Sequence, residues 1–132
     1  MLDRWTHSNK ATFNLGYHLI WCPKYRRPIL KGDIELKLKE LIQIKCDSIN
    51  VNLIEIEIMP DHVHLFVKSE PTASPHWIVQ QIKGYTSRIM RDEFKELKSK
   101  LPTLWTRSYF CESVGHISED TVKKYIQEQK DK

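Results

Sequence analysis

The chain has 132 residues and a formal charge of +4, and 40% of its residues are apolar. That length fits one domain with a single core, spanning 1–132, and not two. The mild basic excess permits nucleic-acid binding without requiring it. No run approaches the ~18 apolar residues of a membrane span, and three scattered cysteines, Cys22, Cys46 and Cys111, suggest neither a disulfide framework nor a zinc site.

The opening segment MLDRWTHSNK lacks the apolar stretch of a signal peptide. A cytoplasmic protein is expected, with residues 1–10 as a flexible polar arm. Thr12 to Cys22 (TFNLGYHLIWC) is aromatic and β-branched and reads as a strand ended by Pro23. Lys24, Tyr25, Arg26 and Arg27 follow as a basic cluster with an aromatic inside it. Gly32 and Asp33 open a helix whose apolar positions, Ile34, Leu38, Leu41, Ile42 and Ile49, fall at helical spacing. Val51 to Ile58 alternates, with Leu53, Glu55 and Glu57 on one side and Ile54, Ile56 and Ile58 on the other. This predicts a half-buried strand. Met59-Pro60-Asp61 connects it to a second strand, His62 to Lys68, in a hairpin.

Ser74-Pro75 is a helix start. The helix is predicted to run to about Lys100, with Ile78, Ile82, Tyr85, Ile89 and Leu97 inward, and Pro102 stops it. Arg88, Arg91, Lys95 and Lys98 form a basic stripe along it, with Asp92, Glu93 and Glu96 nearby. Leu104 to Val114 holds a fourth strand, ended by Gly115. Ser118 caps a last helix over 118–130 that carries Val122, Tyr125, Ile126 and Gln129. The order β-α-β-β-α-β predicts an α+β, ferredoxin-like antiparallel sheet with two helices on one face, plus this C-terminal helix. Such a fold hosts many functions.

The chemistry concentrates at Asp61-His62-Val63-His64. Two histidines two apart on a strand share a face, with Cα atoms about 6.6–7 Å apart. Imidazoles at that spacing can converge on one cation. A strand with two exposed or hydrogen-bonded histidines fits the same pattern, and two ligands leave a site incomplete. Tyr125 and Gln129, at i and i+4, share a helix face. The Gln carbonyl could be a hard oxygen ligand, with the Tyr beside it acting on whatever a metal polarises. Equally, Tyr125 could be a core aromatic and Gln129 a solvated polar residue. Asp61 could orient a ligand histidine or serve the turn.

The blocks YHLIWCPKYRRPIL (17–30), MPDHVHLFV (59–67), IKGYTSRIMRDEF (82–94), LPTLWTRSYF (101–110) and VKKYIQEQ (122–129) occur in this order. With them the chain resembles the single-tyrosine HUH transposases of small insertion sequences, the IS-two-hundred-like group, over nearly its whole length. The resemblance implies His62, His64 and Gln129 as ligands of Mg2+ or Mn2+ and Tyr125 as the nucleophile. It implies a homodimer that cuts and rejoins single-stranded DNA bearing hairpins at element ends, through a 5′-phosphotyrosine, and that has no part in a membrane. Lys24, Tyr25, Arg26 and Arg27 become candidates for DNA contact, as do Lys83, Arg88 and Arg91 in the matching block at 82–94. Where the family often has a hinge of two glycines before the tyrosine helix, this chain has Gly115-His116. Three other functions stand beside it: a domesticated relative acting on repeated chromosomal hairpins, a small metal hydrolase, and a non-catalytic nucleic-acid-binding module, against which the intact His62, His64, Tyr125 and Gln129 argue.

Overall fold

Strand β5 (His62–Lys68) sets the plan of the molecule. Its alternate residues Val63, Leu65 and Val67 are fully buried, while His62, His64, Phe66 and Lys68 are only half-buried. A strand sends successive side chains to opposite faces, so one face of the sheet is committed to a core and the other is left for polar and aromatic groups. The computed structural model describes residues 6–7, 12–13, 15–113 and 119–132.

In chain order the elements are β1 (Thr6–His7), β2 (Thr12–Phe13), β3 (Gly16–Trp21), a 3-10 turn (Lys24–Arg26), α1 (Asp33–Ser48), β4 (Asn52–Met59), β5, α2 (Pro75–Glu93), α3 (Lys95–Lys100), β6 (Phe110–Ser113) and α4 (Glu119–Glu128). The four long strands lie in the order β4-β5-β3-β6, every neighbouring pair antiparallel. This is the ferredoxin-like arrangement expected from the sequence. Leu19 and Trp21 of β3 and Val63, Leu65 and Val67 of β5 pack against Leu38, Leu41 and Ile42 of α1 and Ile78, Val79, Ile82 and Met90 of α2. Gly32 opens α1 at φ 59°, ψ −132°, a conformation only glycine adopts readily. Ser74 caps α2 as expected, its side chain accepting from the Trp77 N–H at 3.1 Å. No helix among the described residues is long and apolar enough to cross a membrane.

Four boundaries differ from expectation, each for a local reason. The first strand does not begin at Thr12: Thr12 and Phe13 pair with Thr6 and His7, because the ladder against β5 runs out where Gly16 faces Lys68. Part of the supposed arm is therefore paired. The long helix predicted to Lys100 breaks at Phe94, whose extended backbone (φ −111°, ψ 97°) lets its ring and Leu97 turn onto the core. The fourth strand is shorter than Leu104 to Val114. Pro23 has no N–H to extend the β3 ladder, so the chain around Trp105 makes only a single bridge to Pro23 before β6 begins at Phe110. In β4 the alternation is not continuous. A bulge between Leu53 and Glu55 leaves Ile54 without a partner and puts Leu53 on the core side with Ile56 and Ile58. Ser118, predicted as a cap, and Gly115-His116 lie outside the described residues.

Leu65 has no exposed surface and sits between Leu19 of β3 and Ile56 of β4 in register. Leu65→Ala should cost about 2–5 kcal/mol of stability through lost burial and the cavity left behind, read from the urea midpoint. A loss under 1 kcal/mol would contradict this packing.

Candidate active site

The face of the sheet turned away from α1 and α2 can be read off the register. Glu57, His64, Ile20 and Phe110 are direct cross-strand neighbours over β4, β5, β3 and β6. Glu55, Phe66, His18 and Glu112 form the next row. Directly opposed residues share a face, so His64, His18 and Phe110 all point the same way, with His62 beside Met59 one step along. Ile20 lies outside the main core yet is fully buried, so this face is covered near β3 and β6. Helix α4 supplies cover there, the Tyr125 ring lying 5.8 Å from that of Phe110. Two strand spacings, about 10 Å, separate the Phe110 and His64 positions.

The two histidines differ in their surroundings. His62 Nδ1 lies 2.9 Å from Asp61 Oδ1. A carboxylate only accepts, so Nδ1 carries a proton, and in the neutral tautomer this contact selects Nε2 is the nitrogen with the lone pair. Asp61 is held in turn by Arg26, whose Nε lies 3.6 Å from Oδ2. His64 Nε2 lies 3.2 Å from His18 Nδ1, and the His18 ring stacks on Phe66 at 4.7 Å. Burial, aided by His18 and opposed by Glu57, holds His64 below the ordinary histidine value. Its neutral form is favoured, and that is the form that binds metal.

Tyr125 and Gln129 meet at a third residue. The single proton of Ser108 Oγ goes to Gln129 Oε1 at 3.0 Å, so at 3.0 Å the Tyr125 hydroxyl donates to the same Oγ. Gln129 Nε2 donates to the Tyr125 backbone carbonyl at 3.2 Å, and Gln129 is only 2% exposed. Burial pushes the Tyr125 phenol up to about 12. Among the described residues no hydrogen bond joins Tyr125 or Gln129 to either histidine. The site is two pairs on one face: histidines on β5, and the tyrosine and glutamine over β6.

Whether these groups suit a divalent ion can be judged on their chemistry. No group of three or more His, Cys, Asp or Glu side chains converges on a common point among the described residues. A metal here would rest on two imidazoles and the Gln129 amide oxygen. The imidazoles fit: His62 is oriented by a carboxylate on its far nitrogen, the usual support for a ligating histidine, and His64 is kept neutral.

The expected DNA-contacting residues fall into different places. Tyr25 and Arg26 adopt positive φ (58° and 50°) in the tight turn after β3. Lys24 Nζ and Arg27 Cζ lie 5.1 and 5.9 Å from the Tyr25 ring centre. Lys130 and Asp131, just beyond α4, line one cleft with Tyr25, Arg26 and Arg27, so the basic turn adjoins the tyrosine helix. Arg88 and Arg91 line a shallow surface depression with Lys98 and Asp92, and Arg91 also donates to the Leu101 and Pro102 carbonyls. Lys83 departs from expectation. It is buried, and its ammonium donates to the carbonyls of Thr106 (2.6 Å) and Ser108 (3.2 Å) instead of facing solvent. His18 and Ser108 were not singled out from the sequence. Alternation on β3 would have put His18 on the histidine face, but Ser108 lies in a segment that reads as plain strand and gave no signal.

The four-stranded antiparallel sheet with its helices matches solved transposase structures. A solved transposase structure from Deinococcus radiodurans R1 matches with a TM-score of 0.88 and 29% identity, covering 94% of this chain and 97% of the other. A REP-associated tyrosine transposase bound to a REP hairpin shares the fold, with a TM-score of 0.57 at 12% identity, over 84% of this chain and 61% of that one. The chain belongs to the IS200-like transposase family, whose model matches residues 11–129. It is 36% identical over 122 residues to the ISDra2 transposase TnpA of D. radiodurans, covering 91% of this chain and 87% of the relative. It is 28% identical over 123 residues to the transposase of insertion sequence element IS200 from Salmonella typhimurium, covering 89% and 81%.

Burial lowers Lys83 from the ordinary 10.5 to about 8. Between these values the unfolded lysine keeps a proton that the folded one releases, so the unfolded state binds more protons and stability rises with pH. Urea midpoints followed from about pH 8 to about pH 10.5 should carry this rising contribution, and Lys83→Met should lack it. Equal pH slopes for the two proteins would contradict the burial of a titrating amine.

Proposed function

We propose that this chain cuts and rejoins single-stranded DNA through Tyr125, with Mg2+ or Mn2+ held by His62, His64 and Gln129. On this reading it acts as a homodimer on hairpins at the ends of a mobile element. The observation that carries the proposal is the register row His64-Ile20-Phe110, with the Tyr125 ring against Phe110. It gives the tyrosine helix and the histidine pair a common face. The family supports the DNA-processing class, and the hairpin in the complex of a fold relative supports that kind of DNA end.

The residues divide the work. Tyr125 Oη attacks phosphorus. The bond from phosphorus to the 3′ oxygen breaks, that oxygen takes up a proton and leaves as a 3′-hydroxyl, and the 5′-phosphate stays on the tyrosine. A bound divalent ion would polarise the phosphate and offset the charge that develops on it. Asp61 fixes the His62 ring, and Arg26 fixes Asp61. With its phenol near 12 in this half-buried setting, Tyr125 must lose its proton as the bond forms. The ester conserves the energy of the broken bond, so a second 3′-hydroxyl can reverse the chemistry on a new strand. Lys24, Tyr25 and Arg27, beside the end of α4, suit a sugar-phosphate path with one stacking ring. Arg88, in its own depression on α2, offers a separate basic contact.

Tyr125→Phe should abolish covalent protein–DNA adducts, visible as a mobility shift in denaturing gels, while hairpin binding persists. Adducts surviving that change would overturn the nucleophile assignment. His64→Ala should reduce divalent-ion-dependent cleavage by about 100-fold or more, on the scale of losing a charge-stabilising group. Cleavage at the parent rate in that variant would sink the metal site.

A further inference from the structure

One hydroxyl joins the two members of the α4 pair. We infer that Ser108 is a positioning residue that holds the Tyr125 phenol and the Gln129 amide as one hydrogen-bonded unit, and that Lys83 fixes Ser108 in place. This rests on the reading of Tyr125 as the nucleophile.

The geometry is directional. Ser108 Oγ has one proton and gives it to Gln129 Oε1, so the Tyr125 O–H must point at Ser108. The lone pairs of the phenol oxygen then face away from Ser108. One contact thus orients the attacking oxygen, and the same contact orients the amide four residues on. Without it, among the described residues, the phenol is left with ring packing against Phe110, which tolerates rotation about the ring axis and sliding.

Ser108 needs an anchor of its own, because it precedes β6 and lies outside the sheet ladder. Lys83 supplies it. From the buried side of α2 its ammonium donates to the carbonyls of Thr106 and Ser108, spanning the exposed Arg107. Thr106 is tied separately, its N–H donating to the Cys22 carbonyl at the end of β3. The path from core to phenol is therefore short and explicit: α2, Lys83, the 106–108 backbone, the Ser108 hydroxyl, Tyr125. A buried ammonium is expensive to maintain, and pinning this backbone gives it a structural task.

The test follows adduct formation with Mg2+ on a single-stranded oligonucleotide copied from the hairpin and flank beside this chain's own gene. Ser108→Ala should lower the rate at saturating DNA by about 10–100-fold, the scale of a small misplacement of a reacting group, with the KM for DNA unchanged. Ser108→Thr, which keeps the hydroxyl, should recover most of that rate. A readout without DNA or metal accompanies it. 3-Fluorotyrosine placed at 125 should change its 19F shift in Ser108→Ala and in Lys83→Met, and return toward the parent shift in Ser108→Thr. Should Ser108→Ala fail to fold, Ser108→Cys is measured in its place, with the same losses expected. Parent-like rate and 19F shift in Ser108→Ala, while Tyr125→Phe is inactive, would overturn this inference and leave the nucleophile standing. Adducts persisting in Tyr125→Phe would overturn both.

Discussion

The alternation of β5 is the constraint on which the rest depends. Burying Val63, Leu65 and Val67 against the helices leaves no freedom for the residues between them. His62, His64 and Phe66 must face the other way, and a slip of one residue would exchange the two sets. The hydrophobic effect that stabilises the core therefore also aims the histidines. A face bearing two imidazoles, with Glu57 in register beside His64 and His18 reaching it diagonally from the next row, is polar enough to remain half-open on the β4 side. On the β6 side, Phe110 and the buried Ile20 make it apolar enough to seat a helix.

The two halves of that face are supported differently. His62 hangs on a chain of charge, Arg26 to Asp61 to His62, near the surface. Tyr125 and Gln129 hang on a chain of hydrogen bonds that starts in the core at Lys83. The first ties the site to the turn after β3, and the second ties it to the helix layer. Both turn around the same short stretch: Pro23 bridges Trp105, and Lys24 N–H donates to the Leu104 carbonyl. The carboxyl end of β3 is thus where the helix layer, the basic turn and the open face meet.

Much of this was legible in the sequence, because it depends on periodicity. The strand carrying His62 and His64, the hairpin before it, the Ser74 cap and the i, i+4 pairing of Tyr125 with Gln129 all follow from side-chain direction along a single element. What stayed hidden depends on contacts between elements. Nothing local marks Lys83 as buried, since a lysine on a helix otherwise reads as surface; only the carbonyls of Thr106 and Ser108 explain it. Ser108 carries no signal for the same reason. The bulge at Ile54 escaped because a bulge leaves the composition of a strand unchanged while shifting its phase. The break at Phe94 escaped because an aromatic at an inward helical position looks the same whether the helix continues or folds over. The roles proposed for His62, His64 and Tyr125 rest on the family likeness; spacing alone left them open.

The turn at Tyr25 and Arg26 carries a further consequence. Two successive residues other than glycine sit in the left-handed region, a conformation disfavoured by on the order of 1–2 kcal/mol per residue. Their side chains are nonetheless restrained, Tyr25 between Lys24 and Arg27 and Arg26 on Asp61. Long cationic side chains normally surrender much rotational freedom when they grip an anion. In this turn part of that freedom is already gone before anything binds, so the DNA path proposed for it would run over a preorganised surface. That part of the entropy loss falls on folding and not on association.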